Sequence, residues 1–259
     1  STFDMSEKNL PYYLDDLNAF APEVINGFVS AIYDIAVYIK RKDFKLDFTP
    51  KAIFTTSETL LVHHRETIEE VFGAPVYNQY ASAEGAPFIT ECIHKKLHFN
   101  TDTGVIETRE TSAGTEMLVT SFHTRGTPLV RYAIGDMIDF SQETSCKCGS
   151  ALPIVQKIAG RNVDFLESAE TGKVSLSHLA DVIKGIPNSV VNIQFVQHSP
   201  SHFEVLLVVD EAVFTAKHEA SILKEMRTRF GAEVHIAIKK VDHIERTLGG
   251  KYQLIKKLG

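Results

Sequence analysis

A lysine directly after two glycines, in Arg246-Thr247-Leu248-Gly249-Gly250-Lys251, is the sharpest chemical feature of this chain. Glycine has no Cβ, so a loop that carries it can approach a ligand closely. A lysine on such a loop is a mobile point charge. It suits the negative charge that builds on a phosphate or carboxylate during reaction. The plain alternative is a solvated turn. Three motifs precede it in order: Tyr80-Ala81-Ser82-Ala83-Glu84-Gly85, Arg131-Tyr132-Ala133-Ile134-Gly135-Asp136 and Gly160-Arg161-Asn162-Val163-Asp164. Glu84 follows a strand pattern, where open α/β sheets bind ligands, and offers a hard oxygen to nucleotide-bound Mg²⁺. Tyr80 can stack on a base. Asp136, after glycine in a tight turn, can accept from two ribose hydroxyls. Gly160–Asp164 has the make-up of a hinge. Read singly, each is also an ordinary feature: a strand-to-loop turn, a hairpin with a surface Asp, a linker.

A second constellation is metal-like. Cys92, Cys146 and Cys148 with His98 supply three thiolates and one imidazole, a tetrahedral Zn²⁺ set. The spacing is not a common finger pattern, His94 competes with His98, and buried free thiols are the alternative. Such a site would staple two loops and leave no open position for catalysis. Hydrolase signatures and the usual glycine-rich phosphate fingerprints are missing from the sequence.

The elements that must position these residues fall into three textures. The chain has 259 residues, enough for one large or two modest domains. Periodicity predicts helices over Glu7–Phe20 and Val24–Lys42. A strand at Lys51–Ser57, a helix at His63–Phe72 and a strand at Pro75–Tyr80 complete a βαβ pattern. Short alternating runs at Val105–Thr108, Glu116–Phe122, Leu129–Tyr132 and Met137–Phe140 predict an antiparallel, barrel-like subdomain. Strands at Ile154–Ile158, Val190–Gln197, Glu204–Val209 and Glu233–Lys240, with a helix at Glu211–Phe230, follow. The expected class is therefore α/β: an incomplete large α/β domain over 1–159 and a small α+β domain over 160–259, with the boundary at Ala159–Asp164.

Net charge is −6, which argues against nucleic-acid binding. The longest apolar runs are too short to cross a bilayer. The polar opening, Ser1–Glu7, lacks a leader pattern. Three cysteines make no disulfide framework, so a cytoplasmic compartment is expected. A large domain lacking part of its fold would expose apolar surface and could self-associate.

Taken in order, the motifs resemble the adenylate-forming superfamily of acyl-CoA synthetases, adenylation domains and luciferases. The branch they most resemble is that of phenylacetate–CoA ligase-like proteins and their capsular polysaccharide relatives. Ile25-Asn26-Gly27-Phe28, Ile53–Leu60 and the Cys-x-Cys-Gly turn ahead of Gly160-Arg161 add to the likeness. The resemblance implies ATP-dependent formation of an acyl-adenylate from a small carboxylic acid, then transfer to the thiol of CoA or a carrier. By motif, Lys251 resembles the adenylation lysine, Glu84 the Mg²⁺ ligand and Asp136 the ribose acceptor, with Arg161 near ribose or phosphate. Ser57, Glu58, Gln79 and Tyr80 match adenine-pocket segments. Phe28, Ala81, Ser82 and Ala86 are candidates for the acid side. Two departures stand out. The family's Ser/Thr/Gly-rich phosphate loop should lie upstream of Ile25 and is absent, so a fragment is expected. Val163 also stands where a charged residue is usual. A non-catalytic nucleotide-binding or scaffold module is the competing reading; a zinc-stapled interaction domain is a weaker one.

Overall fold

The computed structural model describes residues 5, 8–111, 114–161, 165–175, 179, 182, 189–247 and 251–258. The first half alternates helix and strand: α1 (Leu10–Phe20), β1 (Val24–Phe28), α2 (Val29–Lys42), β2 (Ala52–Thr56), α3 (Val62–Phe72) and β3 (Val76–Tyr80). Six strands follow without an intervening described helix: β4 (Ile89–Glu91), β5 (Leu97–Phe99), β6 (Gly104–Thr111), β7 (Gly114–Ser121), β8 (Tyr132–Phe140) and β9 (Ile154–Arg161). All nine form one sheet in the order β1-β2-β3-β4-β5-β9-β8-β7-β6. β1, β2 and β3 run parallel; from β4 onward the pairs are antiparallel. The antiparallel strands therefore extend the parallel sheet and leave β6 as an edge, without closing a barrel.

The C-terminal part has its own sheets. β10 (Phe165–Ser168) pairs with β11 (Gly172–Ser175). A four-stranded sheet contains β12 (Val190–Ser199), β13 (His202–Val209), β14 (His235–Lys240) and β15 (Ile255–Lys257), in the order β14-β13-β12-β15. Helix α4 (Ala216–Phe230) precedes β14. Three separate cores match this layout. Leu14, Ile32, Ala36, Ile39, Ile53, Ile68 and Phe72 bind the helices to the parallel strands. Ile89, Phe99, Met117, Ile134 and Ile138 fill the antiparallel half. Phe195, Phe203, Ile222, Met226 and Phe230 fill the C-terminal part.

Four sequence expectations change. The helix expected over Val24–Lys42 begins at Val29, and Val24–Phe28 is a strand. β-Branched Val24 and Ile25 favour extended backbone, and Asn26-Gly27 opposes a helix. Leu129–Tyr132 and Met137–Phe140 are not two strands joined by a turn. β8 runs through as one, and Gly135 sits inside it at φ +86°, beside the irregular pairing between Glu116 and Leu118 on β7. A bulge, with glycine at positive φ, thus replaces the expected tight turn. The helix expected from Glu211 starts at Ala216, where Thr215 and His218 form a capping box. Short β4, β10, β11 and β15 are additional to the sequence expectation; three- and four-residue strands carry too few alternations to read. The expected boundary falls where β9 ends at Arg161 and β10 begins at Phe165; residues 162–164 lie outside the described residues.

Candidate nucleotide site and metal knuckle

The three parallel strands end level with one another. Phe28 pairs with Thr56, and Thr55 with Asn78, so Phe28, Ser57 and Gln79 lie along one sheet edge. Carboxyl-terminal strand ends of this kind are where open α/β sheets hold ligands. Ser57 is exposed at φ +69°, a left-handed conformation that costs a non-glycine residue about 1 kcal/mol. Asn26 Nδ2 lies 3.5 Å from Gln79 Oε1. Beyond β3, the Gly85 amide donates to the Ser82 carbonyl, and the Ala86 amide donates to the Ser82 hydroxyl at 3.1 Å. This turn carries Glu84, whose carboxylate has no partner among the described residues. Ala81 and Ser82 are half-buried at the same strand end. Ala86 is buried in the antiparallel core, so its methyl serves packing.

Tyr80 and Asp136 meet across the sheet. The Tyr80 hydroxyl donates to Asp136 Oδ2 at 2.6 Å. The bond fixes one carboxylate oxygen from β3. Asp136 also pairs with Arg161 in the β8–β9 register, which brings the second and third motifs together at backbone level.

Glu58, matched by motif to the adenine-side segment, is engaged by other parts of the chain. Its Oε2 accepts from the Ser30 amide at 2.7 Å, and its Oε1 accepts from the Ser30 hydroxyl at 3.0 Å. Oε1 also accepts from the Tyr252 amide at 2.9 Å. Tyr252 directly follows Lys251, so this carboxylate pins the lysine's neighbour to the end of β2. Lys251 itself is exposed. Its amide donates to Thr247 Oγ1 at 3.0 Å and its carbonyl accepts from the Thr247 amide at 2.9 Å, closing the loop at its base. Leu248, Gly249 and Gly250 lie outside the described residues.

Residues outside the sequence motifs, together with Arg246, complete this junction. Arg246 donates to Asp34 Oδ2 at 2.6 Å and to the Ser30 hydroxyl at 2.8 Å. Asn192 donates to Asp34 Oδ1 at 3.3 Å. Burial lifts the Asp34 carboxyl to about 6; Arg246 and Asn192 pull it down, and Glu58 adds to the rise. Burial also lifts the Tyr33 phenol to about 12 and raises the Tyr252 phenol well above its ordinary value. The Tyr252 hydroxyl donates to the Ile193 carbonyl, which fixes its ring against β12. The sequence signal for this junction was the polar stripe on α2, opposite its apolar one.

The metal-like set comes together as read. One ligand atom each from Cys92, His98, Cys146 and Cys148 lies within 4.8 Å of the others. A tetrahedral zinc with bonds of about 2.3 Å to sulfur and 2.0 Å to nitrogen needs sulfurs about 3.8 Å apart and sulfur to nitrogen at about 3.5 Å. Cys92 Sγ and Cys146 Sγ are 3.8 Å apart, and Cys148 Sγ is 3.5 Å from His98 Nε2. His98 Nδ1 is 3.2 Å from the Leu152 carbonyl, an acceptor that favours the Nδ1–H tautomer and leaves Nε2 for a metal. Two turns present the sulfurs: Lys95 amide to Cys92 carbonyl, and Gly149 amide to Cys146 carbonyl. His98 is buried while His94 is exposed and outside the cluster, which decides between them. The donor set fits Zn²⁺.

Among known proteins, residues 166–257 match the CapK C-terminal domain. Over 252 residues the chain is 38% identical to protein CapK of Staphylococcus aureus, covering 97% of this chain and 56% of that protein. The chain thus spans just over half the length of that relative. A solved 2-hydroxyisobutyryl-CoA ligase, in the postadenylation state with R3-HIB-AMP, matches with a TM-score of 0.77 at 17% identity, over 97% of this chain and 58% of that one. The same ligase in its thioesterification state, with 2-HIB-AMP and CoA, gives 0.53 over 98% of this chain and 58% of that one, again at 17% identity. The anthranilate CoA ligase AuaEII, in complex with anthranoyl-AMP, gives 0.66 at 14% identity, over 93% of this chain and 50% of that one. The structural neighbours are CoA ligases, and the chain has the fold of part of such an enzyme.

Proposed function

We propose that this chain carries the adenylation site of an AMP-forming acid–thiol ligase, which activates a small carboxylic acid with ATP and passes the acyl group to CoA or a carrier thiol. The observation that carries this reading is the hydrogen bond from the Tyr252 amide to Glu58. It brings the glycine-flanked Lys251 against the carboxyl-terminal ends of β1, β2 and β3, where the other motif residues gather.

The division of labour follows from chemistry. The substrate carboxylate oxygen attacks the α-phosphorus of ATP, a new O–P bond forms, and the bond to the pyrophosphate oxygen breaks. Negative charge grows on the α-phosphate oxygens, and the Lys251 ammonium, bridging carboxylate and α-phosphate, stabilises it. Glu84, a carboxylate on a tight turn, suits the Mg²⁺ that accompanies the nucleotide. Asp136 accepts from the ribose hydroxyls, with one oxygen already steadied by Tyr80. Arg161 serves ribose or phosphate. Ser57, Gln79 and Tyr80 border the adenine, and Phe28, Ala81 and Ser82 face the acid. Glu58 acts here as the brace that seats Lys251. Cys92, His98, Cys146 and Cys148 would hold a structural Zn²⁺, which would tie the β4–β5 turn to the loop before β9.

An acid-dependent pyrophosphate release assay, run over a panel of aryl and short-chain carboxylic acids with hydroxylamine trapping, tests the reading. Release with one class of acid, lost in Lys251→Ala, is expected. Nucleotide binding with no release for any acid would instead favour a non-catalytic nucleotide-binding module.

A further inference from the structure

Helix α2 has two opposed stripes. With 3.6 residues per turn, Ser30, Asp34 and Arg41 project within about 40° of one another, while Ile32, Ala36 and Ile39 lie on the opposite side. The apolar stripe is buried against the parallel strands. The polar stripe meets the C-terminal part at both ends. At the amino-terminal end an acid on the helix, Asp34, receives Arg246 and Asn192. At the carboxyl-terminal end a base on the helix, Arg41, donates through Nε to Asp210 Oδ2 at 3.0 Å. Both pairs are largely shielded: side-chain exposures are 11% and 15% for Asp34 and Arg246, and 22% and 19% for Arg41 and Asp210.

The two pairs have opposite polarity along one helix. If the C-terminal part were docked the other way round, acid would face acid and base would face base. Partly desolvated like charges strongly oppose contact, so such a pattern specifies a single register. The register it specifies is the one that seats Tyr252 on Glu58 and so sets the position of Lys251.

We propose that the polar stripe of α2 is a charge-coded docking rail, and that Asp34, Arg41, Asp210 and Arg246 are positioning residues for Lys251. The consequence for catalysis rests on the adenylation reading above; the docking itself does not. Over 97% and 98% of this chain, the ligase neighbour matches with a TM-score of 0.77 in its postadenylation state and 0.53 in its thioesterification state.

Amide hydrogen exchange at Tyr252 reads the docking without reference to activity. Arg41→Glu and Asp210→Arg should each speed exchange at Tyr252 about tenfold. The exchanged pair, Arg41→Asp with Asp210→Arg, should restore slow exchange. Protection across β12 and β13 should stay unchanged, since those strands hold their own core. If Arg41→Glu fails to fold, the neutral Arg41→Gln should still speed Tyr252 exchange, by a smaller factor. Unchanged Tyr252 exchange in the single variants, or absence of rescue in the charge-exchanged pair, overturns the rail. Pyrophosphate release measured on the same samples separates the two claims. Rescue of exchange in a chain that adenylates no acid refutes the enzymatic reading and keeps the rail. Full release in both single reversals refutes the positioning role and keeps the enzymatic reading.

Discussion

At the scale of single residues, Lys251 and its neighbour Tyr252 divide their work. Lys251 is exposed with its side chain directed to no described partner, whereas the Tyr252 amide and phenol are both committed. On the proposed adenylation reading, replacing Lys251 by Ala removes charge stabilisation without disturbing the brace. Acid-dependent pyrophosphate release should fall at least about 100-fold, while the thermal transition stays within about 2 °C, as scanning fluorimetry would show. The metal knuckle makes a separate prediction. Elemental analysis should find one zinc per chain. Cys148→Ser should lose it and lower the melting temperature by roughly 5 °C or more, because metal binding contributes directly to folding. A wild-type chain without zinc and with three readily alkylated thiols would contradict the assignment. This site was legible in the sequence because the chain has only three cysteines and one buried histidine completes the set. Glu58 was legible as a site residue and not as a brace: no spacing rule reveals that Tyr252, far along the chain, donates to it.

At the scale of elements, long periodic segments were readable and short or interrupted ones were not. β2, α3, β3 and α4 lie near their expected places because each carries a full apolar repeat. β1 was missed because Val24 and Phe28 continue the three- and four-residue spacing of α2 by coincidence, so the helix pattern absorbed a parallel strand. Gly135 was read as a turn because glycine before aspartate favours one; within β8 the same backbone freedom makes a bulge. A second glycine has a sharper constraint. Gly85 sits at φ +79°, and a Cβ there would lie 2.6 Å from Thr124 Cγ2. Gly85→Ala should therefore destabilise the chain by about 1–3 kcal/mol in urea unfolding, and displace Glu84 so that Mg²⁺-dependent nucleotide binding weakens too. Unchanged stability would show that the turn after β3 relaxes freely.

At the scale of the whole molecule, the junction between the large sheet and the C-terminal part should respond to pH through Asp34. Facing it are Arg246, Asn192, Ser30, Glu58, Tyr33 and Tyr252. Burial lifts its carboxyl to about 6 in the docked arrangement, against about 4 for a solvated aspartate. The docked arrangement then holds more protons between those values, so docking weakens as pH rises from about 4 to 6 and is level above. Asp34→Asn should abolish that slope in Tyr252 exchange, after correction for intrinsic rates. His64, half-buried and held neutral by desolvation and by His63, has the opposite sign: global stability falls as pH drops below about 6.5. Local exchange at Tyr252 therefore isolates Asp34 where a global melting curve would not.

On the proposed function, the carboxyl-terminal ends of β1, β2 and β3 form a nucleotide site together with Asp136. Calorimetric titration of ATP·Mg²⁺ into this chain, beside Asp136→Ala, tests it most directly, because it requires no choice of acid. Saturable binding to the wild type that is lost in Asp136→Ala is the predicted result. No binding by the folded wild type, or equal binding by both proteins, would contradict it.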